Sequence, residues 1–369
     1  MASKRSNISV EIIRIIATFI VILVHTASWY TLDGKFLKSE GMIYAFLQDA
    51  VPLFWYIMGM FLFRENNTFL KNIVRTGRRV VAPALTLVAA VAILAPWLEG
   101  KDNVIACISK PHVDWLGVLG SIGRWTTSGL PLSGHLWVFF SYVKVILWFP
   151  LLRFVCVNEK KANAARRYLI LIALAWELIS DLQQFGTLPT GAVTAFTILD
   201  SNLLYVVLGY ELSLWLDALR TRKALVFCAG SAAFFLANLF RFFVTKWFYD
   251  HGIANQAFMH IEHLISVFSS MGLMTALLMI EPKNETVRKL ILKLSSYSFP
   301  MYLVHRAVYT RLNAVGARAF IYDKTSTAVT KLLATVSYGM VVFAVSLAVA
   351  IAARAVFRFG KTLVLGKQE

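Results

Sequence analysis

Charged residues are scarce in this sequence of 369 residues, where they make up 15% against 58% hydrophobic residues, and the mean hydropathy is +0.65. These values exclude an ordinary soluble domain, which carries about 25% charged residues. Cysteines are also few, namely Cys107, Cys156 and Cys228. No CxxC or His/Cys spacing typical of a metal site occurs, so we expect neither a disulfide framework nor a bound metal. Repeats and low-complexity tracts are absent as well, and the composition indicates a helix bundle in lipid.

Ten apolar stretches predict an all-α polytopic membrane protein with about ten transmembrane helices. They lie at about 8–30, 42–63, 80–99, 135–157, 168–182, 196–216, 224–248, 258–280, 297–315 and 328–357. Lys and Arg are concentrated in alternate connections, which the positive-inside rule assigns to the cytoplasm together with both termini. The net charge of +17 is therefore expected to face cytosol and anionic membrane lipids rather than nucleic acid. We expect one integral-membrane domain over residues 1–369, with its bundle at about 8–357 and no soluble domain.

The first apolar stretch contains two ionisable residues, Arg14 and His25. Eleven residues at about 100° each bring both to nearly the same helix face, about 16 Å apart along the axis. An ionisable side chain inside a membrane costs at least about 2.5 kcal/mol, which favours a buried functional site. The alternative is that Arg14 pairs with Glu11 as an interfacial anchor while His25 only packs in the bundle.

A basic segment follows the second apolar stretch and contains Arg75, Arg78 and Arg79. Spacings of three and four residues place these side chains on one face of a short helix. Guanidinium groups match the geometry of phosphate, so this segment is a candidate site for a phosphorylated cytosolic ligand such as a nucleotide-bearing acyl carrier. The alternative is an anchor that contacts only lipid headgroups.

Two more histidines lie in or beside apolar stretches. His135, followed by Leu136 and Trp137, begins the fourth stretch, and His305 lies inside the ninth. Three carboxylates are predicted in the outer half of the bundle: Asp49, Asp200 and Glu262. Carboxylates at that depth can orient His25 and raise its basicity, or bind sugar hydroxyls. Each histidine can also be an ordinary packing residue, hydrogen-bonded to backbone or located in the aromatic belt.

Five motifs in this order resemble the membrane acyltransferase-3 family. They are Arg14 with His25 after ten intervening residues, Pro52-Leu53-Phe54-Trp55 to Gly59, Arg75 and Arg78 followed by Pro83, His135-Leu136-Trp137, and Ser298 to Tyr302-Leu303-Val304-His305. No single motif is specific, but their order and topology together are. The sequence departs from the family pattern in its reduced opening, Val10 to Ala17, and in having Lys144 in the fourth stretch.

The resemblance implies a ten-helix protein of the bacterial inner membrane that transfers an acyl group, usually acetyl, from cytosolic acyl-CoA. The acceptor would be a hydroxyl of a surface polysaccharide or lipid-linked saccharide. It further implies that His25 is the catalytic histidine, that Arg14 is its motif partner, and that Arg75 and Arg78 contact the CoA phosphates. On this interpretation His25 is the general base, and acetyl-CoA is a co-substrate that needs no metal.

Two other functions are compatible with the sequence. Intramembrane His, Arg and Glu residues also build translocation paths, so a flippase or exporter of a polysaccharide or lipid-linked sugar is one alternative. Inverted repeats with broken helices would favour an exporter, and none is evident. The second alternative is transfer of a succinyl or longer acyl group, for which Lys144 or Arg306 would supply an additional cation near the reacting end.

Overall fold

The computed structural model of the chain describes residues 7–27, 38–64, 67–111, 113–157, 162–184, 201–251, 263–323 and 325–365. Helix accounts for 85% of the structure, and no β-strand occurs in these ranges. The all-helical architecture predicted from the apolar stretches is therefore confirmed.

The described residues form sixteen α-helices. In chain order they are α1 Ile8–Thr26, α2 Lys38–Phe46, α3 Ala50–Leu62, α4 Phe69–Thr76, α5 Ala82–Leu98, α6 Val104–Ser109, α7 Trp115–Gly123, α8 Trp137–Val157, α9 Ala162–Gln184, α10 Ser201–Arg220, α11 Lys223–Asp250, α12 Leu264–Leu278, α13 Glu285–Ser295, α14 Ser298–Ala314, α15 Ala317–Tyr322 and α16 Ala328–Leu365.

Seven helical segments in the described residues are long and apolar enough to cross a membrane. They are Ile8–Thr26, Gly41–Leu62, Phe69–Leu98, Gly134–Val157, Ser201–Arg220, Lys223–Asp250 and Val329–Val356. Helices α9, α12 and α14 occupy three further stretches that the sequence predicts to span, and α12 is a shorter apolar helix. The multi-pass character is therefore supported, whereas the count of ten and the cytoplasmic location of both termini stay predictions.

Glycines allow two pairs of helices to approach closely. A Cβ atom on Gly59 of α3 would lie 1.9 Å from the carbonyl oxygen of Val206 in α10, and one on Gly209 would lie 2.2 Å from that of Tyr56. The same holds between α11 and α12, where a Cβ on Gly230 would lie 2.7 Å from a backbone oxygen. Helices in lipid associate mainly by such close packing, because no hydrophobic effect drives them together.

Helix α1 lies in the interior of the bundle, where it contacts α3, α12, α13, α14 and α16. Its residues Ile13, Ala17 and Ile22 are fully buried. A helix that is apolar on most of its surface is expected to be enclosed by other helices. Arg14 and His25 of α1 are accordingly both partly buried among the neighbouring helices.

A π-helical turn, Gly77–Val81, joins α4 to α5 into one continuous helix. The backbone N–H of Ala82 donates to the carbonyl of Gly77, five residues earlier, as a π-turn requires. Pro83 favours the π-turn. Its nitrogen carries no hydrogen, and in a regular α-helix its ring would clash with the carbonyl of Arg79, four residues earlier. The wider turn changes which arginines share a face, as described below.

Candidate active site

Arg14 is held by contacts at the N-terminal part of α1. Its Nη1 donates to both carboxylate oxygens of Glu11, at 2.9 Å each, and the hydroxyl of Ser295 donates to Glu11 Oε2 at 2.7 Å. The predicted pairing of Glu11 with Arg14 is thus present, and Ser295 connects the pair to α13. Because only Nη1 is used by Glu11, the guanidinium retains other donors for a ligand.

A cavity of about 620 Å³ begins beside Arg14. Two residues of the basic segment, Arg75 and Arg79, also line it. Arg78 and Arg79 are both exposed, but Arg78 is not among the lining residues. A π-turn contains more residues than an α-turn. Arg79, four positions after Arg75, therefore lies on the cavity side together with Arg75, and Arg78 does not. Arg75 is oriented by Asn72, whose Oδ1 accepts from its Nη2 at 2.7 Å.

The rest of the cavity wall is largely apolar and aromatic. It is formed mainly by α3, α8 and α14: Phe54, Trp55, Phe61, Phe139, Tyr142, Phe299, Tyr302 and Leu303 are among the lining residues. A cavity lined by arginines and by a largely apolar wall suits a ligand with an anionic head and a less polar arm.

A cluster of three histidines from distant parts of the chain lies behind the cavity wall, next to the lining residues Tyr302 and Leu303, and none of the three is itself a lining residue. The ring centroids of His25 and His305 lie 5.1 Å apart, and those of His135 and His305 lie 4.8 Å apart. Tyr302, which lines the cavity, has its ring centroid 5.6 Å from that of His135 and 5.7 Å from that of His305. Helix α1, the 3₁₀ turn at Gly134–Leu136 and α14 therefore bring together the three histidines that the sequence singled out.

Backbone carbonyls of α14 fix two of these rings. His135 Nε2 lies 3.1 Å from the carbonyl oxygen of Leu303, and His305 Nδ1 lies 2.6 Å from that of Tyr302. The hydroxyl of Tyr302 in turn donates to the carbonyl of His135 at 2.5 Å. These contacts clamp the 3₁₀ turn to α14. By contrast, no hydrogen bond of the His25 ring occurs within the described residues.

Asp49 does not contact the histidine cluster and instead pairs with α11 and α12. Ser269 donates to Asp49 Oδ1 at 2.7 Å, Asn238 donates to Oδ2 at 3.0 Å, and Arg241 Nη2 lies 3.3 Å from Oδ1. The side chains of Asp49 and Arg241 are fully buried. Sequence reasoning overlooked Arg241, although the rule applied to Arg14, an ionisable residue within an apolar stretch, would have identified it.

The other residues predicted for the site lie on the surface of the bundle or outside the described ranges. Trp137 is exposed at the start of α8, whereas Asp200 and Glu262 lie outside the described residues. The cysteines Cys107, Cys156 and Cys228 are free. Throughout the described ranges, no group of three or more His, Cys, Asp or Glu side chains is arranged to hold a metal ion.

The helical fold and its apolar helices indicate a multi-pass membrane protein, and the cavity lies between these helices. A family model described as an acyltransferase domain matches residues 7–354. The chain belongs to this family, acyltransferase-3. No curated protein and no solved structure gives a significant match.

Proposed function

We propose that this protein is an integral-membrane O-acyltransferase that moves an acyl group, acetyl as the first expectation, from cytosolic acyl-CoA to a hydroxyl of a surface polysaccharide or lipid-linked saccharide. The cavity carries the proposal, because Arg14, Arg75 and Arg79 line it together with Tyr302 and Leu303, whose carbonyl groups contact two of the three histidines. Membership of the acyltransferase-3 family accounts for acyl transfer. A bacterial inner membrane is the proposed location.

Arginines at one end of the cavity suit the phosphates of CoA. Arg75 and Arg79 line it, and planar guanidinium groups bind phosphate through two parallel hydrogen bonds. Arg78, which the family motif would include, does not line the cavity and is expected to contribute less. The aromatic wall then surrounds the pantetheine arm, which carries the thioester toward His25.

His25 is the proposed general base. It removes the proton of the acceptor hydroxyl while that oxygen attacks the thioester carbonyl. The new C–O bond forms, the C–S bond breaks, and the departing CoA thiolate takes the proton from the His25 imidazolium. Arg14, about 16 Å away along α1, is too distant to contact the same atoms and acts on the CoA arm.

Acetyl transfer can be tested directly with radiolabelled acetyl-CoA. Membranes containing the protein are incubated with the label and with glycan extracted from the producing cells, and label in the saccharide is counted. We expect labelling by the wild-type protein and by a control variant, His251→Ala, which changes an exposed histidine at the end of α11. The variant His25→Ala should give none.

The same measurement separates an enzyme from an exporter. An exporter moves saccharide across sealed vesicles without adding label to it. Transport of unlabelled saccharide by both wild type and His25→Ala, with no label incorporated, would contradict the proposed acyl transfer.

A further inference from the structure

The rings of His135 and His305 each have one nitrogen without a hydrogen-bond partner in the described residues. These atoms are Nδ1 of His135 and Nε2 of His305. His305 is fully buried, and His135 is 5% exposed. Most buried polar atoms in proteins are hydrogen-bonded, so two unpaired atoms on neighbouring rings require an explanation.

The contacts of the opposite nitrogens define the chemical nature of these atoms. A backbone carbonyl can only accept a hydrogen bond, so His135 Nε2 and His305 Nδ1, which face carbonyl oxygens of α14, must carry hydrogens. In the neutral ring the other nitrogen is then an unprotonated acceptor. The two rings therefore adopt opposite tautomers, and each presents a lone pair.

A buried acceptor is satisfied by a ligand that brings a hydrogen-bond donor. The thioester of acyl-CoA has a carbonyl oxygen and a sulfur at its reacting end, and both are acceptors. The saccharide, in contrast, carries hydroxyl groups, each with an O–H donor. Of the two proposed substrates, the saccharide thus has the donors that these lone pairs require.

We propose that His135 Nδ1 and His305 Nε2 accept hydrogen bonds from two hydroxyl groups of the acceptor molecule, beside the hydroxyl that His25 deprotonates. This inference rests on the proposed function and extends it, because it makes the two residues determinants of acceptor specificity. The ring of His305 lies between the other two, at 5.1 Å from His25 and 4.8 Å from His135. Two acceptor atoms on separate rings call for a molecule with more than one hydroxyl, as a saccharide has.

The tautomers can be observed by nitrogen NMR. In protein labelled with ¹⁵N-histidine in lipid nanodiscs, we expect a protonated Nδ1 and a bare Nε2 for His305, and the reverse for His135. Addition of the extracted glycan should shift the two bare-nitrogen signals and leave His251 unchanged. A protonated Nε2 on His305, or identical spectra with and without glycan, would overturn the proposal.

Two substitutions at residue 305 separate specificity from structure. In His305→Asn the amide N–H can still donate to the carbonyl of Tyr302, as Nδ1 does, but the side chain has no acceptor at the position of Nε2. His305→Gln places an amide oxygen near the position of Nε2. We expect His305→Asn to reduce kcat/KM for the glycan about tenfold or more, and His305→Gln to recover part of it.

The KM for acetyl-CoA should be unchanged in both variants, because the arginine end of the cavity is untouched. Full activity of His305→Asn would show that only the backbone contact matters and would contradict the proposal. Glycan-induced shifts without any acetyl transfer would instead contradict the proposed function and leave the binding inference intact.

Discussion

Two of the buried polar groups in the described part of the bundle, one around Asp49 and Arg241 and the other the histidine cluster, differ in how their hydrogen-bonding atoms are used. Around Asp49 and Arg241 nearly every group is paired. Arg241 Nη1 donates to the carbonyl of Ala45 at 2.7 Å, and its Nη2 donates to Ser266 at 2.8 Å and Ser269 at 3.1 Å. Among the buried side-chain atoms of Asp49, Arg241, Ser266 and Ser269, only Arg241 Nε lacks a hydrogen-bond partner within the described residues.

The histidine cluster shows the opposite pattern. His135 and His305 leave one ring nitrogen each unpaired, and their neighbour Tyr302 lines a cavity. Paired polar groups in lipid connect helices, whereas unpaired groups next to a cavity are available to a ligand. On the proposed function, the first group mainly stabilises the fold and the second takes part in binding and chemistry, so mutations should affect different properties in the two places.

The largest effect is expected on stability, from Asp49→Ala. Removal of one partner leaves the Arg241 charge buried without its carboxylate, which costs about 3–5 kcal/mol of unfolding free energy. Denaturant unfolding in detergent measures this. Asp250→Ala removes an exposed partner of Lys246 and should cost less than about 1 kcal/mol. A double variant, Asp49→Ala with Arg241→Met, should recover much of the loss, and equal stability of all the variants would refute the structural role.

His25→Ala should reduce activity rather than stability. We expect acetyl transfer to fall about 100-fold or more, since general bases typically contribute at least that much. The unfolding midpoint should stay close to that of wild type, because the His25 ring makes no hydrogen bond within the described residues. Acetyl transfer and thermal unfolding are measured on the same preparations, with His251→Ala as control. Retention of more than about a tenth of wild-type turnover would exclude His25 as the base.

Arg75→Lys should weaken acyl-CoA binding about tenfold, because an ammonium group cannot reproduce the planar two-pronged contact with phosphate. Isothermal titration in detergent at fixed salt gives the affinity. Arg222→Lys, at an exposed arginine outside the cavity lining, is the charge-matched control and should bind normally. If Arg75→Lys also bound normally, the arginine would be a lipid anchor.

The smallest effect is expected in a partly exposed ion cluster, in which residues at the α10–α11 turn meet Glu281 of the α12–α13 connection. Lys223 hydrogen-bonds Glu281, and Arg220 pairs with it at 2.9 Å. The Lys223 contact is the largest cause that holds the pKa of the Glu281 carboxyl below its ordinary value. A carboxylate with a lowered pKa stabilises the fold above its unfolded pKa and loses that contribution as pH falls through the folded value.

Glu281→Gln should therefore lower stability at neutral pH by less than about 1 kcal/mol, as is typical of solvent-exposed ion pairs. The difference between variant and wild type should disappear in acid. Unfolding midpoints measured from neutral to acidic pH test this, and a difference that grows in acid would contradict the assigned sign.

The sequence predicted the helical class and the intramembrane Arg14 and His25 from local information alone. Apolar length indicates a span, and an ionisable residue inside one indicates a site, without knowledge of neighbours. The pairing of Glu11 with Arg14 was predictable for the same reason, since residues three apart on a helix are neighbours.

Contacts between distant segments were not predictable in this way. His25, His135 and His305 were identified separately, but nothing in their surroundings along the chain shows that α14 brings them together. Asp49 was expected to be available to His25, whereas Arg241 of α11 pairs with it instead. Such pairing depends on which helix faces are adjacent, and that is set by close packing at residues such as Gly230.

The π-helical turn at Gly77–Val81 makes the number of residues between α4 and α5 important for ligand binding. A π-turn amounts to an α-helix with one additional residue, so deletion of a single residue here would restore regular winding and rotate α4 by about 100° relative to α5. Arg75 would then leave the cavity although every functional side chain was still present. Insertions and deletions are therefore expected to be tolerated poorly between Arg75 and Pro83, even where individual substitutions are accepted.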